Sequence, residues 1–411
     1  MKIFNSIKLN NFYYSLIIYS SAFFLKYLYF LYSDGFNRLP VEDAAAYFNI
    51  GKEIFLNGYF SDQFISGRPP LLPSIISLFF IFFDETTILV SIRLFLIMIT
   101  SLIPVIFYFI CINIKINKPT AFFIALFILI YPPSIYYSSF ILTENLASFL
   151  ISLIILLISF FSKVQKKKLL IVNLSLLFAL LTFTRSIFVA LPFFIFIIYI
   201  FLIIKNKKNL IYLRKFILMI ICYIIFMSPW AIINKFKHDE LIITTNRLGY
   251  MLYLTNSDLK NSIISRGQYL KTNKFLEDLV FARENFNYKD ESKYLKNLAI
   301  EEIFKNISIY PKILFNRFIN TMNSRPNPYK SNLTINDIIM LVWIPILILS
   351  IKYIINNRLE PVEKFFLIII VYTIGTSLPF WGTPRFRYPI DNLIIFFALR
   401  ELSIINLTKV K

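Results

Sequence analysis

A chain that sets long apolar runs one after another has few folds open to it. Such runs lie near 11–33, 71–83, 90–112, 120–138, 143–162, 169–184, 186–204, 216–233, 337–355, 365–381 and 389–405. Several reach or approach the ~20 residues that carry a helix across a bilayer. With 57% of 411 residues hydrophobic, the apolar surface exceeds what a soluble core needs. The pattern predicts an all-α polytopic membrane protein. The first run, Asn11 to Ser33, outlasts a signal-peptide core, and no small-residue cleavage pattern follows it. It therefore reads as a retained helix.

Basic clusters set the topology, because short cytoplasmic loops collect Lys and Arg. The clusters are Lys2 and Lys8, Lys115 and Lys118, Lys163 to Lys168, Lys205 to Lys215, Lys352 to Lys364, and Lys409 with Lys411. If every run crossed, the second and third clusters would fall outside while the first stayed inside. The run at 71–83, "LLPSIISLFFIFF", resolves the conflict. At ~1.5 Å per residue it is about 20 Å long, too short for a core of ~30 Å. Read as interfacial or re-entrant, it puts every cluster in the cytoplasm. The expectation is about ten spans with both termini inside. An N-terminal membrane module (1–233) then contains a first outer loop at 34–89. A largely polar outer segment follows at 234–336, and C-terminal spans fill 337–411. Within the outer segment, Phe275, Leu279, Leu295, Leu298, Phe304 and Ile307 fall at helical spacing, broken at Pro311.

The net charge of +20 does not point to nucleic acid, since it sits in short inter-run clusters and the long polar segment, with no nucleic-acid fold signature. It fits topology signals and anionic lipid instead. One histidine, His238, and two cysteines in or at the end of apolar runs, Cys111 and Cys222, exclude His-rich zinc motifs and a disulfide framework. Eight scattered glycines form neither a G-x-G-x-x-G nor a phosphate-cradling GK[ST] motif.

In this topology the unusual polar residues gather on the outer face. Glu42 and Asp43 open an amphipathic stretch at 42–57, with Tyr47, Ile50 and Ile54 on one face and a stop at Asn57-Gly58. Two carboxylates in a first turn face the helix dipole favourably. They read equally as capping acids or as a general base for a hydroxyl proton. Arg68, in "SGRPPLLP", is fixed by the proline pair above the short apolar run. It suits a lipid phosphate, which a guanidinium binds bidentately, or it snorkels at the interface. Glu144, in "SSFILTENLASF", opens a span at its outer end, where an ionisable group is costly. Arg185 lies at the next outer turn, and Arg385 and Arg387 lie in "WGTPRFRYPIDN" at the last one. Arg68, Arg185, Arg385 and Arg387 could form a cationic pocket around Asp43 and Glu144. Lys26, late in the first span, either snorkels outward or joins them.

These motifs, in order, resemble the GT-C class of membrane glycosyltransferases, related to dolichyl-phosphate-mannose protein mannosyltransferases and bacterial aminoarabinose transferases. The pattern "DAxxYxxxA…RPPLYP" of bacterial relatives reads here as "EDAAAYFNIG" and "SGRPPLLPSI". The likeness continues through "RLFLIMITSLIPVIFY", "SSFILTENLASF", "SPWAIINKFKHDELIITTNRLGYMLYLTN" and "PRFRYPID", covering nearly the whole chain. The resemblance implies a GT-C-like bundle with interfacial helices in the first outer loop and a small helical extracytoplasmic domain. It implies inverting transfer from a polyprenyl-phosphate sugar donor to a hydroxyl or amine on a lipid, glycan or protein acceptor. The setting implied is the extracytoplasmic face of a bacterial inner membrane.

Carried over by position, Asp43 is the catalytic carboxylate, with Glu42 and Glu144 as further candidates. Arg68, Arg185, Arg385, Arg387 and Tyr47 then contact the donor phosphate. Some relatives carry Lys or His at the position of Arg68, and an Asp at that of Glu144. No cofactor is certain, although two carboxylates could hold a divalent cation. Two other readings compete. A flippase for a lipid-linked sugar would place ionisable residues or broken helices near the midplane. A polysaccharide polymerase or ligase would use outer arginines but fits the "EDAAAY…RPP" pair poorly.

Overall fold

A computed structural model describes residues 2–57, 67–161, 163, 167–204, 210–238, 241–264, 272–325, 340–380 and 382–409. Gly58, Lys166, Lys205, Trp381, Lys411 and the stretch 326–339, which carry part of the sequence-based expectation, lie outside the described residues. Among the described residues there are helices and no strands.

Helix α1 (Lys2–Tyr32) leads by an irregular loop to α2 (Asp43–Asn57), α3 (Leu71–Phe82) and α4 (Ile88–Asn113). Next come α5 (Lys118–Ile130), the short α6 (Pro132–Tyr137), α7 (Thr143–Phe160), α8 (Lys167–Thr184), α9 (Leu191–Ile204) and α10 (Leu210–His238). The largely polar segment 234–336 holds α11 (Leu248–Asn256), α12 (Leu259–Ile264), α13 (Asn273–Asn285), α14 (Tyr288–Lys305) and α15 (Tyr310–Met322). The chain ends with α16 (Trp343–Asn356), α17 (Pro361–Ser377), the single turn α18 (Pro384–Arg387) and α19 (Asp391–Lys409).

Among the described residues, five helices are long and apolar enough to cross a membrane: Asn11–Tyr32, Ile88–Asn113, Thr143–Phe160, Lys167–Thr184 and Leu213–Lys237. The other expected spans are shorter, interrupted or, in α19 with Asp391, Arg400, Glu401 and Lys409, more polar. The run at 120–138 divides at Tyr131 because Pro132 and Pro133 start a new helix: proline disfavours the helical conformation in the residue before it. The run at 186–204 opens with a 3-10 turn, Ser186–Ala190, ahead of α9.

The long helices pack along α4, which meets α1, α5 and α7, while α8 lies between α7 and α10. Their facing sides bury Phe107, Ile128, Ile154, Phe178, Phe366 and Phe396 in one core. On the opposite sides, Phe24, Ile197, Ile225 and Ile348 are exposed. That distribution suits helices whose outward faces meet lipid tails rather than water.

Helices α2 and α3 pack on each other. As the spacing predicts, Tyr47 and Ile50 are buried on α2 while Asn49 is exposed. They meet Leu72 and Ile76 of α3. Gly51 permits the approach, since a Cβ there would lie 2.4 Å from the Ile76 side chain. Helix α3 has 12 residues, as short as its run. The polar segment has its own small core, where Tyr253 of α11 packs with Phe275 and Leu279 of α13 and Leu295 of α14. Phe304 and Ile307, expected to continue that core, are exposed instead. They fall where α14 ends, and Pro311 begins α15 as a separate helix.

Candidate active site

Asp43 is the first residue of α2, where its negative charge suits the positive end of the helix dipole. Glu42 sits just before it with a φ of 49°, in the left-handed region, and is exposed. That turn sends the two neighbouring carboxylates to different surroundings. Arg68 precedes Pro69 and Pro70, so its backbone is held out of the helix that follows and its side chain turns back over α2. Its Nη2 donates to Asp43 Oδ1 at 2.5 Å, and its guanidinium lies 5.1 Å from the Tyr47 ring centroid.

The second acid, Glu144, is in the first turn of α7 and 2% exposed. Arg385 bridges the two carboxylates. Its Nη2 is 2.8 Å from Asp43 Oδ2, and its Nε is 2.6 Å from Glu144 Oε1. Arg185 closes the series with Nη1 2.9 Å from the same Glu144 oxygen, an ion pair without hydrogen-bond alignment. Its guanidinium also lies 5.2 Å from the Phe386 ring. The result is one alternating chain: Arg68, Asp43, Arg385, Glu144, Arg185. It joins residues that are up to 342 positions apart in sequence (43 to 385).

Three guanidiniums against two carboxylates leave the chain with an excess positive charge. Burial pushes the Asp43 carboxyl upward, but Arg68 and Arg385 outweigh it and hold the group below the usual carboxylate range. For Arg385, burial opposes the charge, while Glu144 and Asp43 more than restore it and raise the pKa above its ordinary value. The donor set does not fit a divalent cation. Both Asp43 oxygens and Glu144 Oε1 already face guanidiniums, and the arginines would repel a second cation. Among the described residues, no three His, Cys, Asp or Glu side chains group together.

The structure brings Asp43, Glu144, Tyr47, Arg68, Arg185 and Arg385 together and leaves two candidates elsewhere. Glu42 is exposed, and no ion pair joins it to the chain of charges among the described residues. Arg387, two residues from Arg385, is buried and turned inward. Its Nε donates to Asp391 Oδ1 at 2.7 Å, its Nη1 to the Thr321 and Asn323 carbonyls, and its guanidinium lies 3.6 Å from the Trp343 ring. It ties the end of α15 to the start of α19. Lys26 is fully buried in α1, and no ion pair joins it to the chain of charges.

Two arginines near the site are not among the predicted site residues, although Arg93 opens the motif "RLFLIMITSLIPVIFY". Arg93 is 2% exposed and donates to backbone carbonyls of the loop between α1 and α2. Arg38, in that loop, donates to Ser139 just ahead of Glu144. The signal for Arg93 was present: a cation inside the apolar run 90–112, where it needs a partner or a purpose.

The solved structures similar to this chain include two of ArnT from Cupriavidus metallidurans, one bound to undecaprenyl phosphate and one in the apo state. The first aligns over 97% of this chain and 77% of its own, with 12% identity and a TM-score of 0.43. The second covers 89% and 72%, with 12% identity and a TM-score of 0.39. No protein-family model and no curated protein matches the chain. Likeness of this degree carries no chemistry from one chain to another, so the chemistry rests on the site's own residues.

Proposed function

We propose that the chain is a glycosyltransferase that takes a sugar from a polyprenyl-phosphate donor at the extracytoplasmic face of a bacterial inner membrane. The observation that carries this reading is the run of three arginines and two acids, with one acid reachable and one buried. A sugar held on a lipid phosphate needs two things for transfer: a base for the acceptor and positive charge for the departing phosphate. Asp43, 30% exposed by its side chain, is the base. Arg68 and Arg385, at 21% and 31%, are the cations within reach of a lipid headgroup. Arg185 and Glu144 stand behind them and hold Arg385 in place.

The acceptor hydroxyl gives its proton to the Asp43 carboxylate as its oxygen bonds to the anomeric carbon. The bond from that carbon to the phosphate oxygen breaks, and polyprenyl phosphate leaves with the electron pair. Attack from the face opposite the phosphate inverts the anomeric centre. A carboxylate flanked by two guanidiniums is a weak base, and the donor removes that obstacle. Its phosphate competes for Arg68 and Arg385, and each contact it takes from Asp43 returns basicity to the acid.

In this reading about ten segments cross the membrane with both termini inside. Helices α2 and α3 lie at the outer interface, and the segment 234–336 covers the site and meets the acceptor. The deciding experiment is in vitro transfer from radiolabelled polyprenyl-phosphate hexoses and pentoses, comparing wild type with Asp43→Asn. Equal rates for the two would remove Asp43 from the mechanism. A cysteine at position 75 labelled only from the cytoplasm would overturn the outer placement of α3.

A further inference from the structure

We infer that Arg93 is a positioning residue that sets the distance between Asp43 and Glu144 by clamping the loop in front of α2. The inference rests on the proposed transfer reaction for its functional meaning, but its structural part stands alone. Arg93 lies in α4, five residues after its first turn begins, and is 2% exposed. No carboxylate pairs with it among the described residues. Its Nη1 donates to the Gly35 carbonyl at 2.7 Å and its Nη2 to the Arg38 carbonyl, while Nε finds no acceptor. Burying a guanidinium without an acid is expensive, and Leu or Met would fill the space at lower cost. What neither could supply is a planar fork that grips two carbonyls at once.

The loop it grips needs gripping. Asp34 has a φ of 51° and Glu42 a φ of 49°, so non-glycine residues in the left-handed region stand near both ends. Such backbone persists when surrounding contacts over-determine it. The N–H of Gly35 donates to the Phe30 carbonyl at 2.8 Å, and a Cβ at Gly35 would strike the Phe30 ring. The grip therefore fixes the path from the end of α1 to the first residue of α2, which is Asp43.

The clamp continues to the second acid. Arg38 Nη2 donates to the Ser139 carbonyl at 3.0 Å and to Ser139 Oγ at 3.1 Å, with its guanidinium 4.2 Å from the Phe140 ring. The same turn is held from the other side by Asn145, whose Nδ2 donates to the carbonyls of Tyr137 and Phe140 at 2.8 and 2.9 Å. Asn145 adjoins Glu144. Arg93, Arg38 and Asn145 thus form a backbone-directed tie between the loops that deliver Asp43 and Glu144. Its consequence is a fixed span that Arg385 can bridge.

The test uses the full chain in detergent, with Arg93→Met, Arg93→Lys and the half-buried Arg38→Met. Amide hydrogen exchange is followed in 33–46, 136–146 and, as a reference, α16 and α19. The clamp predicts that Arg93→Met speeds exchange in 33–46 by tenfold or more and leaves α16 and α19 unchanged. Transfer from a radiolabelled polyprenyl-phosphate hexose should lose about 10- to 100-fold in kcat with KM within about twofold, as expected for misplaced groups that still bind. Lys keeps the charge but not the fork, so Arg93→Lys should restore little. Arg38→Met should loosen 136–146 and lower kcat in the same way.

Unchanged exchange in 33–46, full rescue by lysine, or faster exchange spread evenly into α16 and α19 would each overturn the clamp. An inactive wild type would count against the transfer reaction, and the exchange data would still decide the clamp.

Discussion

Asp43 and Glu144 occupy matching places: each lies in the first turn of a helix, and both contact Arg385. Their settings differ. The Asp43 side chain is 30% exposed, whereas that of Glu144 is 2% exposed and wedged between two guanidiniums. Asp43 opens the helix α2, which packs on α3, and Glu144 opens a helix inside the main bundle. In the proposed reaction one ion-pair chain contains an acid that meets substrate and another that holds the machinery still. The excess cation lies toward the accessible side, where a phosphate can reach it.

The comparison breaks most sharply under Asp43→Asn. Loss of the base should lower kcat by about 10²- to 10⁴-fold while costing less stability than removal of the buried acid, measured by transfer rate and unfolding midpoint side by side. The mirror experiment is Glu144→Gln. Removing a buried acid from between two arginines leaves their charge uncompensated, and about 3 kcal/mol of stability should go, read from thermal or denaturant unfolding in detergent. If Glu144→Gln proved as stable as wild type, the supporting role assigned to the buried acid would fail.

A smaller effect is read through pH at Asp43. The folded-state pKa of Asp43 lies below its unfolded value, so its ion pairs stabilise the chain fully above about pH 4. That contribution is lost as pH falls through the lower, folded value. Arg68→Met removes one of the two lowering partners, so the acid-side loss should move to higher pH, as followed by unfolding midpoints across a pH series. The smallest effect belongs to Glu42. Exposed and outside the chain of charges, it should tolerate Glu42→Gln with less than about a twofold change in kcat, in line with ordinary surface substitutions. A larger loss would return it to the site beside Asp43.

Much of the site is legible in the amino-acid sequence. A carboxylate at a helix start, an arginine fixed before two prolines and an acid opening an apolar helix are local signals, each with a physical cost that calls for a reason. Asp43, Arg68, Glu144, Arg185 and Arg385 all follow from such signals. Glu42 and Arg387 are the two that come apart from the group. A left-handed φ at Glu42 separates it from the residue beside it, and no pattern of residue types marks that turn. Arg385 and Arg387 are two residues apart in a single helical turn, so they point to different sides. The side that faces Asp43, rather than Trp343 and Asp391, is settled only by where α15, α16 and α19 pack.

The amino-acid sequence by itself determined the class of fold: apolar runs without soluble counterparts, broken where prolines fall, leave helices in a membrane as the way to satisfy the backbone. It also determined which residue types are too costly to sit near the bilayer without purpose. The tertiary structure alone decided which of those residues meet. Arg385 reaches Asp43 across 342 positions of sequence, and Arg93 reaches the Gly35 carbonyl across 58. Helical periodicity extends over a few turns and says nothing at such separations. Ion-pair geometry depends on how whole helices are placed against one another, and that placement comes from packing summed over the core rather than from any single motif.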